Sequence, residues 1–257
     1  MANFVFALTL TIVAGLSTAI GGLFVLFCKE ANKKFLSFTM GFSAGVMVFI
    51  GLGDLLPIAA ETVGNIPAFF TLFAGIAVAY IIDMAVPHHN PNPHDFVACA
   101  DDEDENRDKK LWRVGIFSMV AVVIHNFPEG AATFFAASFD ITLGISMMIA
   151  IALHNIPEGL TIAVPIYYST GSRKKAFWYA FLSGLSEPIG ALFAGLLLYN
   201  VASEAMVAYI LAFVGGFMLY LAFDELIPAA HQYDHHHTAV AGVIIGMFIM
   251  GLSILFI

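Results

Sequence analysis

Long apolar segments separated by short polar connections dominate the pattern of residues along the chain. Eight of these segments approach or exceed the roughly 20 residues that a helix needs to cross a bilayer, and they are too continuous for the alternating strands of a β-barrel. The predicted spans are residues 4–27, 35–60, 66–87, 111–138, 141–168, 173–200, 203–230 and 238–257. The fold class predicted from this pattern is all-α, a polytopic membrane bundle of eight transmembrane helices that forms one domain over 1–257.

Composition agrees with a membrane protein. Hydrophobic residues make up 60% of the chain and charged residues only 11%, against about 25% charged residues in soluble domains. Much of the net charge of −9 comes from the acidic run at 101–105, which lies in a histidine-bearing loop at 88–110 that we expect to be mobile. With no basic patch, nucleic acid is excluded as a partner.

The basic residues predict the orientation of the bundle. All ten fall in or beside the first, third and fifth connections: Lys29, Lys33, Lys34, Arg107, Lys109, Lys110, Arg113, Arg173, Lys174 and Lys175. Alternate connections lie on one side of the membrane, and the positive-inside rule makes that side cytoplasmic. Both termini are therefore expected outside.

Two helices also share a spaced pattern. Residues 45–47 (Gly-Val-Met) and 54–57 (Asp-Leu-Leu-Pro) match residues 216–218 (Gly-Phe-Met) and 225–228 (Glu-Leu-Ile-Pro) at the same spacing. Helices 2 and 7 cross the membrane in opposite directions, so the match predicts an inverted repeat of helices 1–3 and 6–8 around helices 4 and 5, as in many secondary transporters. Chance patterning of Gly and Met in apolar helices is the alternative.

The strongest chemical signal is a polar hexapeptide that occurs twice inside apolar spans. His-Asn-Phe-Pro-Glu-Gly occupies 125–130 and His-Asn-Ile-Pro-Glu-Gly occupies 154–159. Both motifs, together with Glu187, fall near the middle of their helices. His and Glu at i and i+4 share a helix face, and Pro128, Pro157 and Pro188 each free a backbone carbonyl one turn back.

These residues predict a metal site at mid-membrane depth. Imidazole, carboxylate and amide ligands without thiolate suit Zn²⁺, Fe²⁺, Mn²⁺ or Co²⁺, and three buried carboxylates need bound cations or protons. The seven candidate ligands exceed what one tetrahedral ion needs, which suggests two ions sharing Glu129 and Glu158. They are His125, Asn126, Glu129, His154, Asn155, Glu158 and Glu187. A structural polar cluster is the alternative, although charged clusters in membranes more often mark ion pathways.

Other polar residues are candidates for a pathway. Asp54 near the outer end of helix 2, and Asp224 and Glu225 near the inner end of helix 7, suit the entrance and exit of a cation path; acids near lipid headgroups are an equally good interpretation. Seven histidines in the cytoplasmic connections suit transient metal capture, with plain solvated histidines as the alternative. They are His88, His89, His94, His231, His235, His236 and His237.

The doubled HNxPEG motif, the mid-helix glutamate of the segment 183–187 and the eight spans together resemble the ZIP (zinc–iron regulated transporter-like) family, in particular its bacterial zinc-uptake permease branch. The resemblance implies a binuclear metal centre formed by the seven ligands above and approached by Met47 of helix 2. It also implies a location in the bacterial cytoplasmic membrane. Asn155 departs from the many eukaryotic members that have glutamate at this position, which leaves the metal preference open.

The expected function is therefore uptake of Zn²⁺, with Fe²⁺, Mn²⁺, Co²⁺ and Cd²⁺ as further candidates, by alternating access through the mid-membrane site. Metal ions are substrates, no catalytic cofactor is expected, and the expected partners are these ions and the lipid bilayer. An intramembrane di-metal enzyme and a metal-selective channel are the rival functions, although the Glu-x-x-His and His-Glu-x-x-His signatures of such enzymes are absent. The sequence leaves open whether the protein is a monomer or a homodimer.

Overall fold

The computed structural model describes residues 2–27, 32–85, 107–233 and 235–256. This part of the chain forms eight helices long and apolar enough to cross a membrane, which confirms the all-α prediction. The helices are α1 (Ala2–Phe27), α2 (Lys33–Val63), α3 (Asn65–Ala85), α4 (Arg107–Phe139), α5 (Ile141–Thr170), α6 (Arg173–Leu198), α7 (Glu204–His231) and α8 (His236–Phe256). Most of the predicted 88–110 loop, including His88, His89 and His94, lies outside the described residues.

Short polar side chains begin several of these helices. Asp140 accepts a hydrogen bond from the backbone of Leu143 at 2.7 Å, and Ser172 and Ser203 cap α6 and α7 in the same way. Such caps satisfy backbone N–H groups that have no partner inside the helix. At the end of α5, Gly171 adopts a φ of 63°, which a residue without Cβ tolerates without strain. These features allow the tight connections that place α4, α5 and α6 side by side.

Two spans contain a π-helical turn that the sequence did not predict. The turns cover Gly51–Leu55 in α2 and Ala222–Leu226 in α7. Their residue numbers differ by 171, the same offset that relates the matched segments beginning at Gly45 and Gly216. π turns are rare and occur often at functional sites, and these two contain the pathway candidates Asp54 and Glu225.

Prolines within the helices have unequal effects. The span α6 is interrupted at Leu185, just before Glu187 and Pro188, whereas α4 and α5 continue as α-helix through Pro128 and Pro157. Of the three prolines next to the candidate ligand glutamates, only Pro188 therefore lies beside an interruption of its helix. A proline ring does not have to break a helix when the helix is held by packing on both sides.

Glycine contacts divide the helices into two groups. One group contains α1, α4, α5 and α6, and the other contains α2, α3, α7 and α8. In the first group, a side chain at Gly21 would collide with the carbonyl of Ile156, and a side chain at Gly130 would collide with the carbonyl of Glu187. In the second group, a side chain at Gly216 would collide with the carbonyl of Leu72. Every described glycine that lies this close to the backbone of another helix does so within its own group. Small residues allow such close approach of membrane helices, so each group packs tightly inside itself.

The two groups meet mainly where α2 packs against α5 and α4 packs against α7. A hydrogen bond from the Ser43 hydroxyl of α2 to the backbone oxygen of His154 in α5, 3.1 Å long, links them at the depth of the second motif. The most buried spans are α2, α5 and α7, with 67% of their apolar windows buried, against 22% for α3 and α8. The helices α3 and α8 are therefore peripheral.

The outer surface of the bundle is apolar, as a lipid-facing surface must be. Large side chains such as Ile66, Phe70, Leu196 and Phe248 are more than 60% exposed. In water such a continuous apolar surface would be unfavourable, whereas hydrocarbon tails accommodate it. The structure therefore describes an integral membrane protein.

Candidate metal site

Seven polar side chains lie buried at the centre of the first helix group, where α4, α5 and α6 meet. None of the seven is more than 3% exposed. They are the seven ligands predicted from the sequence: His125, Asn126, Glu129, His154, Asn155, Glu158 and Glu187. Burying this many polar groups is unfavourable unless each finds a partner.

The two motifs contact each other across the helix pair. Nε2 of His125 lies 3.2 Å from Oε2 of Glu158, and Nε2 of His154 lies 3.3 Å from Oε2 of Glu129. Each histidine thus contacts the glutamate of the other motif, not its own. This reciprocal pairing places both motifs in one shared site.

The third helix brings Glu187 into the same site. The Asn155 amide donates a hydrogen bond to Oε1 of Glu187 and another to the backbone oxygen of Ala14, the latter 3.2 Å long. Close packing of Gly130 against the Glu187 backbone fixes the depth of α6. The three carboxylates of the site therefore come from three different helices.

Many polar atoms of the site have no hydrogen-bond partner among the described residues. They are Nδ1 of His125, both side-chain polar atoms of Asn126, Oε1 of Glu129, Nδ1 of His154, Oδ1 of Asn155 and Oε2 of Glu187. Buried polar groups in native proteins nearly always have partners. A cation that binds oxygen and nitrogen ligands, together with water, would give these atoms partners.

The site is not arranged as a finished coordination cage. Within the described residues, no three His, Cys, Asp or Glu side chains are placed to hold one ion together. Instead, the histidine and glutamate of each cross pair contact each other. An ion would have to separate these pairs or take ligands from Asn126, Asn155 or Met47 as well.

Met47 comes from the other helix group. Its side chain is fully buried in α2, one turn beyond Ser43, whose hydroxyl contacts the His154 backbone. This places the thioether on the helix that packs against α5 near the second motif. The sequence resemblance implies that Met47 approaches one metal.

The pathway candidates separate into distinct environments. The partly exposed Asp54 lies beside the Ser146 hydroxyl of α5. Asp224 is exposed, and Tyr220 interacts with it while donating a 3.0 Å hydrogen bond to Asp83. Glu225 turns towards the metal site, close enough to His125 and Glu158 to interact with them electrostatically.

A small cavity of about 40 Å³ connects Glu225 with the site. It is lined by His125 and Glu158 at its inner end and reaches Tyr233 near the end of the bundle where α2, α4 and α6 begin, which we call the basic end. Burial raises the pKa of Tyr233, so its phenol stays neutral. Sequence reasoning missed the cavity, since its lining comes from α2, α4, α5, α7 and the residues after α7.

Three of the described histidines at the basic end lie in a row with their rings inclined to one another, at 47° for His231 and His236 and at 67° for His236 and His237. The rings of His231 and His236 have centroids 4.9 Å apart, and those of His236 and His237 are 5.4 Å apart. Nδ1 of His231 lies 2.7 Å from the backbone oxygen of Ile227. His235 is partly buried, and its backbone oxygen accepts a 3.3 Å hydrogen bond from Ser37.

An apolar bundle with ionisable groups at its centre defines the class of integral membrane proteins to which secondary transporters belong. Comparison with known proteins agrees with this class, because the family model for the ZIP zinc transporter matches residues 85–254. The chain belongs to the ZIP family of zinc transporters. Among its relatives is the zinc transporter ZupT of Chlorobium chlorochromatii, which is 46% identical over 98% of both chains.

Two further relatives extend the similarity to distant bacteria. The zinc transporter ZupT of Clostridium perfringens is 42% identical over 99% of this chain and 97% of its own length. That of Streptococcus mutans is 43% identical over 97% of this chain and 96% of its own length. The likeness therefore spans the whole bundle. It includes α1, α2 and α3, which precede the family match except for its first residue, Ala85.

Proposed function

We propose that this protein carries Zn²⁺ across the membrane into the cytoplasm through the site formed by α4, α5 and α6. The observation that supports this most strongly is the set of seven buried nitrogen and oxygen ligands whose free atoms lack partners among the described residues. Ionisable groups at this depth are tolerated when they bind ions or protons in transit. The relatives are named zinc transporters, which favours zinc as the principal ion.

The ligand chemistry extends the proposal to similar ions. Imidazole and carboxylate ligands also accept Fe²⁺, Mn²⁺, Co²⁺ and Cd²⁺. Two ions can share the site, with Glu129 and Glu158 between them, because each carboxylate already contacts a histidine of the opposite motif. Met47 would add a soft ligand on one side.

The proposed direction follows from the orientation. If the basic end faces the cytoplasm of a bacterial cell, as the positive-inside rule indicates, both termini lie outside and uptake runs with the inside-negative potential. A divalent ion then gains about 4.6 kcal/mol per 100 mV, twice the value for a single charge. The site belongs to the cytoplasmic membrane in this proposal.

Alternating access is the mechanism that the helix groups favour. Tight glycine contacts hold each group together, and the metal ligands other than Met47 all belong to one group. Relative movement of two such bodies can expose a site to either side in turn. The matched π turns at offset 171 support the predicted inverted repeat, which would make the two half-paths equivalent.

Membership in a family of transporters favours this proposal over the intramembrane di-metal enzyme. A selective channel differs from the carrier in needing a path open to both sides at once. The described cavity extends from the site towards the basic end.

Zinc uptake by the purified protein tests the proposal directly. In liposomes loaded with a zinc-sensitive dye, we expect saturable uptake that is faster when the interior is made negative, since the ion carries charge inward. Empty liposomes are the control. A folded, correctly inserted protein that gives no more uptake than empty liposomes would contradict the proposed function, and turnover of a lipid or peptide without metal flux would favour the enzyme.

The pathway proposal assigns Glu225 to the exit and Asp54 to the entrance. Both lie in π turns of the second helix group, on opposite sides of the metal site along their helices. Glu225 lines the cavity that leads from His125, whereas its neighbour Asp224 is exposed and lies outside the residues that line it. The two adjacent acids therefore offer a matched comparison.

Replacing Glu225 with glutamine is expected to lower the zinc uptake rate about tenfold, the effect of roughly 1.4 kcal/mol, because the cavity then has no carboxylate beyond the central site. Asp224→Asn is expected to leave the rate within about twofold. The measurement is initial uptake in the dye-loaded liposomes. Equal effects of the two substitutions would argue against a specific exit at Glu225.

The histidines at the basic end are proposed to capture zinc as it leaves. The cavity ends at Tyr233, which is close in sequence to four histidines, and the rings of three of them lie next to one another in a row; the four are His231, His235, His236 and His237. Together with His88, His89 and His94 of the 88–110 loop they would form one cytoplasmic binding region. The whole chain, 1–257, would then act as one transport domain.

A further inference from the structure

One buried hydroxyl near the metal site has no hydrogen-bond partner among the described residues. Serine and threonine inside helices usually donate to a carbonyl three or four residues back, as Thr133, Thr161 and Ser183 do here at 2.7–2.9 Å. The Ser118 side chain in α4 is only 3% exposed, and its Oγ makes no such bond. An orphaned polar group at this depth is unfavourable unless it serves a ligand.

The surroundings of Ser118 indicate what that ligand is. Ser118 lines the cavity that also contains His125, Glu158 and Glu225. It lies seven residues before His125, two helical turns or about 10 Å nearer the basic end. The Thr18 hydroxyl also has no partner among the described residues, but it does not line this cavity, and the Ser146 hydroxyl lies beside Asp54. Ser118 therefore lines the path that leads from the central site towards the basic end, as Glu225 does.

Ser118 and Glu225, which both line this cavity, come from different helix groups. Ser118 belongs to α4, which carries the metal ligands, and Glu225 belongs to the π turn of α7. A hydroxyl and a carboxylate offer oxygen ligands, which hold Zn²⁺ less firmly than imidazole does. An ion path needs binding strong enough to accept the ion and weak enough to release it.

We propose that Ser118 and Glu225 form a transit site for a divalent cation, in which the Ser118 hydroxyl is a positioning ligand that accepts the ion from His125 and Glu158. The proposal rests on the transport function proposed above and adds a specific residue to the exit path. Met40 and Thr161 also line this cavity, and the Thr161 hydroxyl oxygen can still act as a ligand while it donates to the backbone oxygen of Glu158. Partial rehydration of the ion would begin here.

Uptake by Ser118→Ala tests the transit site. The initial zinc uptake rate is expected to fall about fivefold, the scale of losing one contact of ordinary hydrogen-bond strength, while equilibrium zinc binding at the central site stays unchanged. Ser118→Thr, which keeps a hydroxyl, is expected to retain most of the rate. Ser138→Ala at the other end of α4 is the control, because Ser138 donates to Phe134 and lines no part of the cavity.

A thiol at position 118 gives a readout that a structural role would not affect. In a protein carrying Cys28→Ser and Cys99→Ser, Cd²⁺ is expected to protect the thiol of Ser118→Cys from a methanethiosulfonate reagent, since thiolate binds soft cations. Adding Glu225→Gln should raise the Cd²⁺ concentration needed for protection at least about tenfold, because the second ligand is lost. The thiol of Ser138→Cys should show no protection.

The outcomes separate this inference from the proposed function. The transit site is overturned if Ser118→Ala takes up zinc at the rate of the unsubstituted protein, or if Cd²⁺ leaves the thiol at position 118 fully reactive. Neither result would contradict the proposed zinc transport. Absence of zinc uptake by the unsubstituted protein overturns the transport function itself. If Ser118→Ala does not fold, the thiol experiment alone decides.

Discussion

Replacing Glu158 with alanine is expected to lower zinc uptake by at least about 100-fold, since even groups that only orient a metal ligand contribute about 10–100-fold. Glu158 lies 3.2 Å from His125, and His154 interacts electrostatically with both Glu158 and Glu129. Without its carboxylate, His125 loses its partner and the proposed shared ligand between two ions is gone. Uptake into dye-loaded liposomes and zinc binding to purified protein measure the effect.

A matched control separates this loss from a general effect of removing negative charge. Glu61, an exposed acid near the end of α2 opposite the basic end, can be replaced with alanine in the same assay. We expect Glu61→Ala to transport at close to the unsubstituted rate, because exposed charges contribute little. Unchanged uptake by Glu158→Ala would remove the site assignment, whatever the control shows.

The sequence was sufficient to predict the number and order of the helices. Eight apolar segments each became one span, because a bilayer requires about 20 apolar residues and little else. The ends were less predictable: α4 begins at Arg107, four residues before the predicted start, since polar residues such as Lys109 continue the helix beyond the apolar segment. Apolar pattern alone does not report where backbone hydrogen bonding stops.

The π turns could not be predicted from apolar pattern for a related reason. An extra residue in a helical turn leaves an apolar segment apolar, so neither Gly51–Leu55 nor Ala222–Leu226 stands out in composition. The signal that existed was indirect, namely an acid three residues before Pro57 and another before Pro228. The shared residue spacing matched the two segments to each other, but it did not reveal the backbone conformation of either segment.

The candidate site was predictable as a set of residue types but not as a set of contacts. The i, i+4 spacing of each motif suggested that His125 and Glu129 would act together, whereas the structure pairs His125 with Glu158 and His154 with Glu129. Pairing across helices depends on their separation and rotation. The separation of α4 and α5 is set by close contacts such as that of Gly144 in α5 with Ala137 in α4, which only coordinates reveal.

The same glycine contacts give the second large expected effect. Alanine at Gly130 would place its Cβ within 2.6 Å of the Glu187 carbonyl carbon and 2.7 Å of its Cα, against rigid backbone. The helix α6 would have to move away, which costs about 1–3 kcal/mol and separates Glu187 from Asn155. We expect a lower unfolding temperature and at least about tenfold slower zinc uptake.

Gly115 of the same helix provides the control for this substitution, because alanine there would meet mainly the Cδ1 and Cγ1 atoms of the Ile166 side chain, at 2.6 and 2.7 Å. A side chain can rotate away where backbone cannot, so Gly115→Ala is expected to fold and transport with a small loss. The two variants are compared by thermal unfolding with and without zinc, and by uptake in liposomes. Because Gly130 presses on the residue that carries a metal ligand, zinc should stabilise Gly130→Ala less than Gly115→Ala. Equal stabilisation of both by zinc would show that the position of Glu187 does not depend on the contact between α4 and α6.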